Sequence, residues 1–417
     1  MGKVITPRFG AATQEMPQDA LKELLREGAR KMLQQAVEAE VAAYIDKHAS
    51  VLGVDGRRLV VRNGHKPERD IQCGLGPISV TQPRVNDKRV DERGERQCFT
   101  STVLPPYLRK TKDIEELIPW LYLKGVSTGD FSEALKSLLG ANAPGLSAST
   151  VTRLKGVWED EYKAWDKRSL TGKQYAYIWA DGVYFKVRLD GEKQCILVIM
   201  GATADGKKEL VAIEDGTRES ELSWSGMLQD LIARGLKAAP ELAIGDGALG
   251  FWAALSKVFP TTRAQRCWVH KTANVLNALP DSQHAKAKGM VHEIWQAETK
   301  KEAEMAFDSF ILHYQDKYEK AVKCLAKDRE ELLAFYDFPA EHWRHIRTSN
   351  PIESMFATVR LRTKRTKGCG SAMATLTMVF KLAQSAERRW HRLNGHERIA
   401  EVIQHVRFVD GVRAKAA

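Results

Sequence analysis

The chain has 417 residues, with 64 lysines and arginines against 53 aspartates and glutamates, for a net charge of +11. That length holds roughly two to four domains, and that charge favours a polyanionic partner such as nucleic acid, a merely basic soluble protein being the alternative. No apolar run reaches transmembrane length, the first residues lack an apolar signal core, and the six cysteines form no C-x-x-C pair. A membrane or disulfide-stapled protein is therefore not expected, and reduced thiols in a cytoplasmic compartment are.

In chain order, residues 18–48 carry Leu21, Leu24, Leu25, Met32, Leu33, Val37, Val41, Tyr44 and Ile45 at helical spacing, which predicts one long helix within an N-terminal region 1–52. Residues 53–106 are rich in Gly, Pro and charge, with short β-like runs, and suit a small basic strand-containing module. Residues 107–170 look helical. Ile114, Leu117, Ile118, Leu121 and Tyr122 mark a first piece, "FSEALKSLLG" a second, and "LSASTVTRLKGVWEDEYKAW" a third with serine caps. Short helices joined by glycine-containing turns suit a helix-turn-helix unit, in which Ser149, Thr150, Thr152 and Arg153 begin the helix that reads a DNA groove. A plain helical bundle fits the same spacing.

From 174 the pattern becomes strand-rich. "YIWADGVYFKVRL", "QCILVIMGATA" and "KELVAIED" are divided by Asp190-Gly191 and Asp205-Gly206, both hairpin signals. A helix, "SELSWSGMLQDLIARG", and a short strand, "ELAIGDG", follow. The set predicts the start of an α/β sheet domain. In the first strand the odd positions run Tyr177, Trp179, Asp181, Val183, Phe185, so the odd face is expected to be the dry one, and Asp181 lies on it. An unpaired buried carboxylate costs several kcal/mol. Alternatively, Asp181-Gly182 is a turn between "YIWA" and "VYFK". Asp246 directly follows the short strand, where functional groups of α/β sheets gather.

The third motif is "RTSNPIESMFATVRLRTKRTKG". Asn350 suits an N-cap, Pro351 the first helical position, and Glu353 the capping-box position. Ile352, Met355, Phe356 and Val359 form an apolar face, while Glu353 shares another face with Arg360, Lys364 and Lys367. The run 360–367 holds five basic residues in eight: Arg360, Arg362, Lys364, Arg365 and Lys367. It is either a solvated face or a DNA contact. Three carboxylates, Asp181, Asp246 and Glu353, can hold two Mg²⁺ ions, which need few protein ligands, and two such ions about 4 Å apart suit phosphodiester displacement. Mn²⁺ is the expected substitute. Cys267 and His270 have metal-ligand spacing, but two ligands do not make a zinc site. Cys267 is expected to pack as a small hydrophobe, and His270 to support a phosphate or carboxylate near the second aspartate.

"YIWADGVYFKVR", "AIGDGALGFWAALSKVFPTTRAQRCWVHKTANVLNALP" and "RTSNPIESMFATVRLRTKRTKG", with "VRNGHKPERDI" and "YLKGVSTGDFSEAL" before them, resemble the bacterial Mutator-type insertion-sequence transposases. The resemblance implies an α/β core of ribonuclease-H-like type, a mixed sheet flanked by helices. Its parts are expected at 171–270 and 346–394, around a helical insertion at 271–345 and after a mostly helical DNA-binding region; 395–417 is a tail. It also implies the triad Asp181, Asp246 and Glu353, and a Cys-x-x-His signature at Cys267 and His270. Such an enzyme binds terminal inverted repeats and target DNA as a homodimer or larger assembly. It cuts and rejoins strands with divalent metal. The alternatives are a metal-dependent nuclease or resolvase on the same fold, and a catalytically dead DNA-binding regulator.

Overall fold

The computed structural model describes residues 17–91, 94–111, 148–186, 193–216, 218–365 and 371–414. Two units separate, Met1–Arg153 and Leu154–Ala417. The first contains a long helix, α1 (Pro17–Lys47), as its apolar spacing predicts. Only part of that spacing is buried: Val37 and Val41 are, while Leu21, Leu24, Leu25 and Met32 stay exposed. Beyond α1 come β1 (Val60–His65), β2 (Arg69–Cys73), β3 (Gly76–Val80) and β4 (Pro83–Asp87). β1 pairs with β4 and β2 with β3, both antiparallel. Val37 packs with Ile71, Ile78, Val80 and Leu104. Tyr44 donates to buried Asp87 at 2.7 Å, and Arg89 pairs with the same carboxylate, fixing the end of β4 to α1. Among the described residues this unit is a long helix packed on two small two-stranded sheets. The helical pieces expected at 112–147 lie outside the described residues.

Helix α2 (Ala148–Asp166) ends in aromatic packing. Trp158 and Tyr162 are buried, and Tyr162 and Trp165 meet Phe380 at 5.5 and 4.9 Å between ring centroids. Three long strands follow: β5 (Tyr175–Lys186), β6 (Lys193–Thr203) and β7 (Lys208–Gly216), paired antiparallel in sequence. Asp205-Gly206 makes the second hairpin turn, with Gly206 at φ +78°, a conformation glycine adopts without a Cβ penalty. The other hairpin signal, Asp190-Gly191, lies outside the described residues. The chain then crosses over through α3 (Glu221–Ala233) to β8 (Leu242–Gly245), and through α4 (Leu249–Val258) to β9 (Arg263–Arg266). Both new strands run parallel to β5, giving a mixed sheet of order β7-β6-β5-β8-β9.

Both faces of β5 are covered. Ile178 and Ala180 pack with Trp224, Met227, Leu228 and Phe251 from α3 and α4. On the other face Tyr177 pairs its hydroxyl with His342 Nδ1 at 2.7 Å, and Trp179 Nε1 donates to the His345 carbonyl at 3.0 Å. The expectation of a single dry face is corrected: β5 is central, and a central strand of an α/β sheet is buried on both sides. The turn reading of Asp181-Gly182 is overturned too, because both residues pair with β6 in mid-strand, opposite Val198 and Leu197.

Between β9 and the next motif all regular structure is helical: α5 (Trp268–Leu276), α6 (Asp281–Gln296), α7 (Lys300–Tyr314), α8 (Glu319–Ala326), α9 (Arg329–Leu333) and α10 (Trp343–Ile346), with short 3₁₀ turns. Then come α11 (Asn350–Arg365) and α12 (Ala372–Glu387), which pack on the sheet, then α13 (Ile399–Ile403) and a small terminal hairpin, β10 (Phe408–Val409) with β11 (Val412–Arg413). Among the described residues no helix is long and apolar enough to cross a membrane.

Candidate active site

The last paired residues of β5 and β8 are Ala180 and Gly245, in parallel register. Asp181 is the next residue on β5, and Asp246 is the first residue beyond the end of β8. Neighbours in parallel register point to the same face, so the two carboxylates leave adjacent strands side by side. Asp181 is 9% exposed, and its Oδ1 accepts from the Gly182 amide at 2.9 Å. Burial first, then the charge of Asp246, pushes its carboxyl up to about 7. Asp246 is held by its turn: Oδ1 accepts from the Ala248 amide at 2.8 Å. Its carbonyl accepts from Trp252 Nε1 at 2.9 Å and from Arg266 at 2.6 Å.

Two backbone bonds sew other elements to this strand end. The Cys267 amide donates to the Gly245 carbonyl at 2.8 Å, and the Trp268 amide to the Arg347 carbonyl at 3.0 Å. The second bond brings the start of α11 to the start of α5. Ile352, Met355, Phe356 and Val359 are all buried, which fixes the rotation of α11 as their spacing predicts. The cap differs by one residue from the expectation. The Ser349 carbonyl accepts from the Glu353 amide at 3.1 Å, so Ser349 stands at the cap. Asn350 is the first helical residue, exposed, and Glu353 is one place beyond the capping-box position.

Cys267 and His270 straddle the start of α5. Their ligand atoms and a Glu353 carboxylate oxygen lie within 4.8 Å of one another, a grouping that draws in Glu353 and neither aspartate. Fully buried Ser349 sits at its centre. Its hydroxyl donates to Glu353 Oε1 at 2.7 Å and lies 3.3 Å from His270 Nδ1, and its amide donates to Cys267 Sγ at 3.2 Å. Cys267 is therefore a buried hydrogen-bond acceptor, not merely a small hydrophobe. Hydrogen bonds from His270 and Ser349 outweigh burial and bring its thiol below the usual range. His270, bonded to Cys267 and close to the charges of Glu353 and Asp181, is raised to about 9. His270 meets the third acidic residue directly, at 3.7 Å from Glu353 Oε1, rather than the second aspartate.

The pattern described as "Transposase, Mutator family" matches residues 7–393. The transposase for insertion sequence element IS6120 of Mycolicibacterium smegmatis is 53% identical over 289 residues, 69% of this chain and 89% of that protein. The transposase for insertion sequence element IST2 of Acidithiobacillus ferrooxidans is 53% identical over 289 residues, 68% of this chain and 95% of that protein. The chain belongs to the Mutator family of transposases. Among solved structures, a chain of a simian T-cell lymphotropic virus intasome complex aligns with 49% of this chain and 63% of its own, at 13% identity and a TM-score of 0.17. A superposition that loose decides nothing.

Members of this family process DNA, and the other residues singled out in this transposase stand as follows. Arg360 is exposed on α11. Arg362, Lys364 and Arg365 continue that helix, but their side chains, and Lys367 altogether, lie outside the described residues. Ser149, Thr150, Thr152 and Arg153 fall in the first turns of α2, where only the backbone is described. Two residues that lie against these side chains escaped the motif reading. Ser349 looked like a residue before a cap. Glu219 sits between β7 and α3, half-buried, and its carboxyl is raised by burial and by Asp246. The available signal was an acid in a loop leaving a sheet strand, the same logic that selected Asp246.

Proposed function

We propose that this chain is an insertion-sequence transposase of the Asp-Asp-Glu type. It binds the terminal inverted repeats of its element and catalyses metal-dependent strand cleavage and strand transfer on a ribonuclease-H-like core. The observation that carries this is the parallel register that delivers Asp181 and Asp246 together, with the Glu353 helix sewn to the same strand end. A buried aspartate raised to about 7 beside a second aspartate favours a bound cation, and an all-oxygen donor set fits Mg²⁺ or Mn²⁺. Among the described residues no lysine or arginine nitrogen lies within 4 Å of either aspartate. Asp181, Asp246 and Glu353 would hold the ions.

When bound, the ions supply Lewis-acid stabilisation and a more acidic nucleophile. The side chains do the rest. Asp181 and Asp246 are fixed by strand pairing and amide bonds, which spares reorganisation during the reaction. Ser349 and His270 hold Glu353 in one orientation. In cleavage, a water oxygen bonds to phosphorus, the bond to the 3′-oxygen breaks, and the freed 3′-oxygen takes up a proton. In transfer, that 3′-hydroxyl loses its proton and attacks a target phosphate, releasing the target's own 3′-oxygen. Phosphodiester bonds are conserved in this second step, so no covalent protein intermediate or energy source is needed.

The basic run at 360–367 and the start of α2 are assigned to DNA, and a homodimer or larger assembly to the paired ends. Cys73, Cys98, Cys195, Cys267 and Cys324 are free thiols, which suits a reducing cytoplasm. Asp181→Asn, Asp246→Asn and Glu353→Gln should each abolish nicking and joining of a labelled transposon end while leaving end binding in place. Near-normal cleavage by any of them removes that residue from the triad. Neutralising Arg360, Arg362 and Lys364 together should lower the log–log salt slope of binding by about 0.9 for each lost phosphate contact. An unchanged slope makes the run a solvated face.

A further inference from the structure

We propose that Glu219 is a fourth carboxylate of the metal-binding cleft, a ligand held beside Asp181 and Asp246 by the loop between β7 and α3. The inference rests on reading Asp181 and Asp246 as metal ligands.

The loop is pressed into place by two glycines. A Cβ at Gly182 would lie 2.5 Å from both Cδ and Oε1 of Glu219, so the carboxyl group occupies the space a side chain there would fill. Gly182 is the residue after Asp181. A Cβ at Gly250 would lie 2.5 Å from the Glu219 carbonyl oxygen and 2.7 Å from the Glu221 nitrogen. Gly250 is in the first turn of α4, four residues after Asp246. The Glu219 segment is therefore wedged between the backbone that follows the first aspartate and the backbone that follows the second. The loop's other end is fixed as well: Ser220 Oγ accepts from the Ser223 amide at 3.2 Å and caps α3.

A solvated loop glutamate is the plain alternative. It does not account for a half-buried carboxyl that packs on the Gly182 backbone, accepts a hydrogen bond from Tyr184 and has Asp246 as a charged neighbour. Among the described residues no lysine or arginine nitrogen lies within 4 Å of Glu219. At both Asp181 and Glu219 the charge of Asp246 outweighs that of nearby His270, and a divalent ion removes that repulsion. Mg²⁺ keeps several of its waters and binds few carboxylates directly, so Glu219 would reach an ion either directly or through one of those waters.

The experiment is Mn²⁺ binding to the full-length protein without DNA, read from the loss of the free-ion paramagnetic resonance signal. Wild type, Asp181→Asn, Glu219→Gln, Gly182→Ala and the Gly182→Ala/Glu219→Gln double variant are compared, with circular dichroism checking each fold. Glu219→Gln should weaken Mn²⁺ binding by about tenfold or more. Gly182→Ala keeps every carboxylate but pushes Glu219 aside, so it should weaken binding similarly and add nothing in the double variant. It also serves if Glu219→Gln does not fold. Loss of binding in Asp181→Asn with wild-type affinity in Glu219→Gln and Gly182→Ala would overturn the role of Glu219 and leave the aspartate site standing. Wild-type protein that binds no Mn²⁺ would overturn both.

Discussion

The Ser349 hydroxyl donates to Glu353 Oε1 at 2.7 Å, and the Ser349 amide donates to Cys267 Sγ at 3.2 Å. One buried residue thus ties the acidic residue of α11 to the start of α5. Ser349→Ala removes the hydroxyl and keeps the amide. The loss of one buried hydrogen bond to a charged group should cost about 1.5–3 kcal/mol of stability. Glu353 then loses its fixed rotamer, and cleavage should fall by about tenfold or more with end binding unchanged. Urea unfolding and single-turnover cleavage measure the two effects. Cleavage at the wild-type rate would show that Glu353 needs no such support.

His270 is raised to about 9, chiefly by its bond to Cys267 and then by neighbouring negative charge. Its unfolded value is about 6.5. A histidine raised on folding adds stability that is fully present below its unfolded pKa and is lost as pH rises through the folded one. The His270 contribution therefore fades between about pH 6.5 and 9. His270→Gln should flatten stability across that window, and Cys267→Ala should lower the His270 midpoint observed by NMR. A wild-type midpoint near 6.5 would dissolve the Cys267–His270 pairing.

The sequence made the two aspartates legible for local reasons. Each stands in or just after an apolar strand, and strand ends in α/β sheets are where polar groups escape the core. Glu353 was legible because Ile352, Met355, Phe356 and Val359 fix which way α11 faces. The residues that organise the site were not. Ser349 and the carbonyl of Gly245 act through contacts that exist only after β8, β9 and α11 assemble, and Glu219 reaches its place only when its loop packs on Gly182 of β5 and Gly250 of α4; no periodicity encodes them. The cap was misplaced by one because Asn350-Pro351 fits the local rules better than Ser349, whose hydroxyl is engaged by the site. The second buried face of β5 was obscured because its later even positions, Tyr184 and Lys186, are polar or amphipathic, although Ile178 and Ala180 are buried.

Buried Asp328 joins the site to the helical insertion. Lys271 Nζ bonds its Oδ2, and Arg266 reaches Oδ1 at 3.4 Å while also holding the Asp246 carbonyl at 2.6 Å. Each of the three residues is 6–7% exposed. Asp328→Asn leaves two buried cations without a counter-charge, which should cost about 3–5 kcal/mol. Cleavage should fall as well, because Arg266 is released from a fixed position beside Asp246. Lys271→Met combined with Asp328→Leu should recover part of the stability, measured by urea unfolding. A fully stable Asp328→Asn protein would mean that the cations reach solvent.

Asp181 gives the protein a pH dependence of known sign. Its folded pKa is about 7, through burial and then the charge of Asp246, against an unfolded value of about 3.9. Between those values the folded protein keeps a proton that the unfolded chain releases. Without metal, the Asp181 contribution to stability therefore falls as pH rises from about 4 to 7 and is level above. Glu214 is also raised to about 7 by burial and acts in the same direction, so the informative quantity is the difference between wild type and Asp181→Asn. The variant carries no charge there and should be more stable than wild type at pH 8, by up to about 4 kcal/mol, with little difference at pH 4. Mg²⁺ should reverse the order, stabilising wild type increasingly above pH 7 and the variant hardly at all. Denaturant unfolding at pH 4 and pH 8, with and without Mg²⁺, reads every part of this. An Asp181→Asn protein no more stable than wild type at pH 8 without metal would mean that the carboxylate is solvated, and the electrostatic case for a cation beside it would fall.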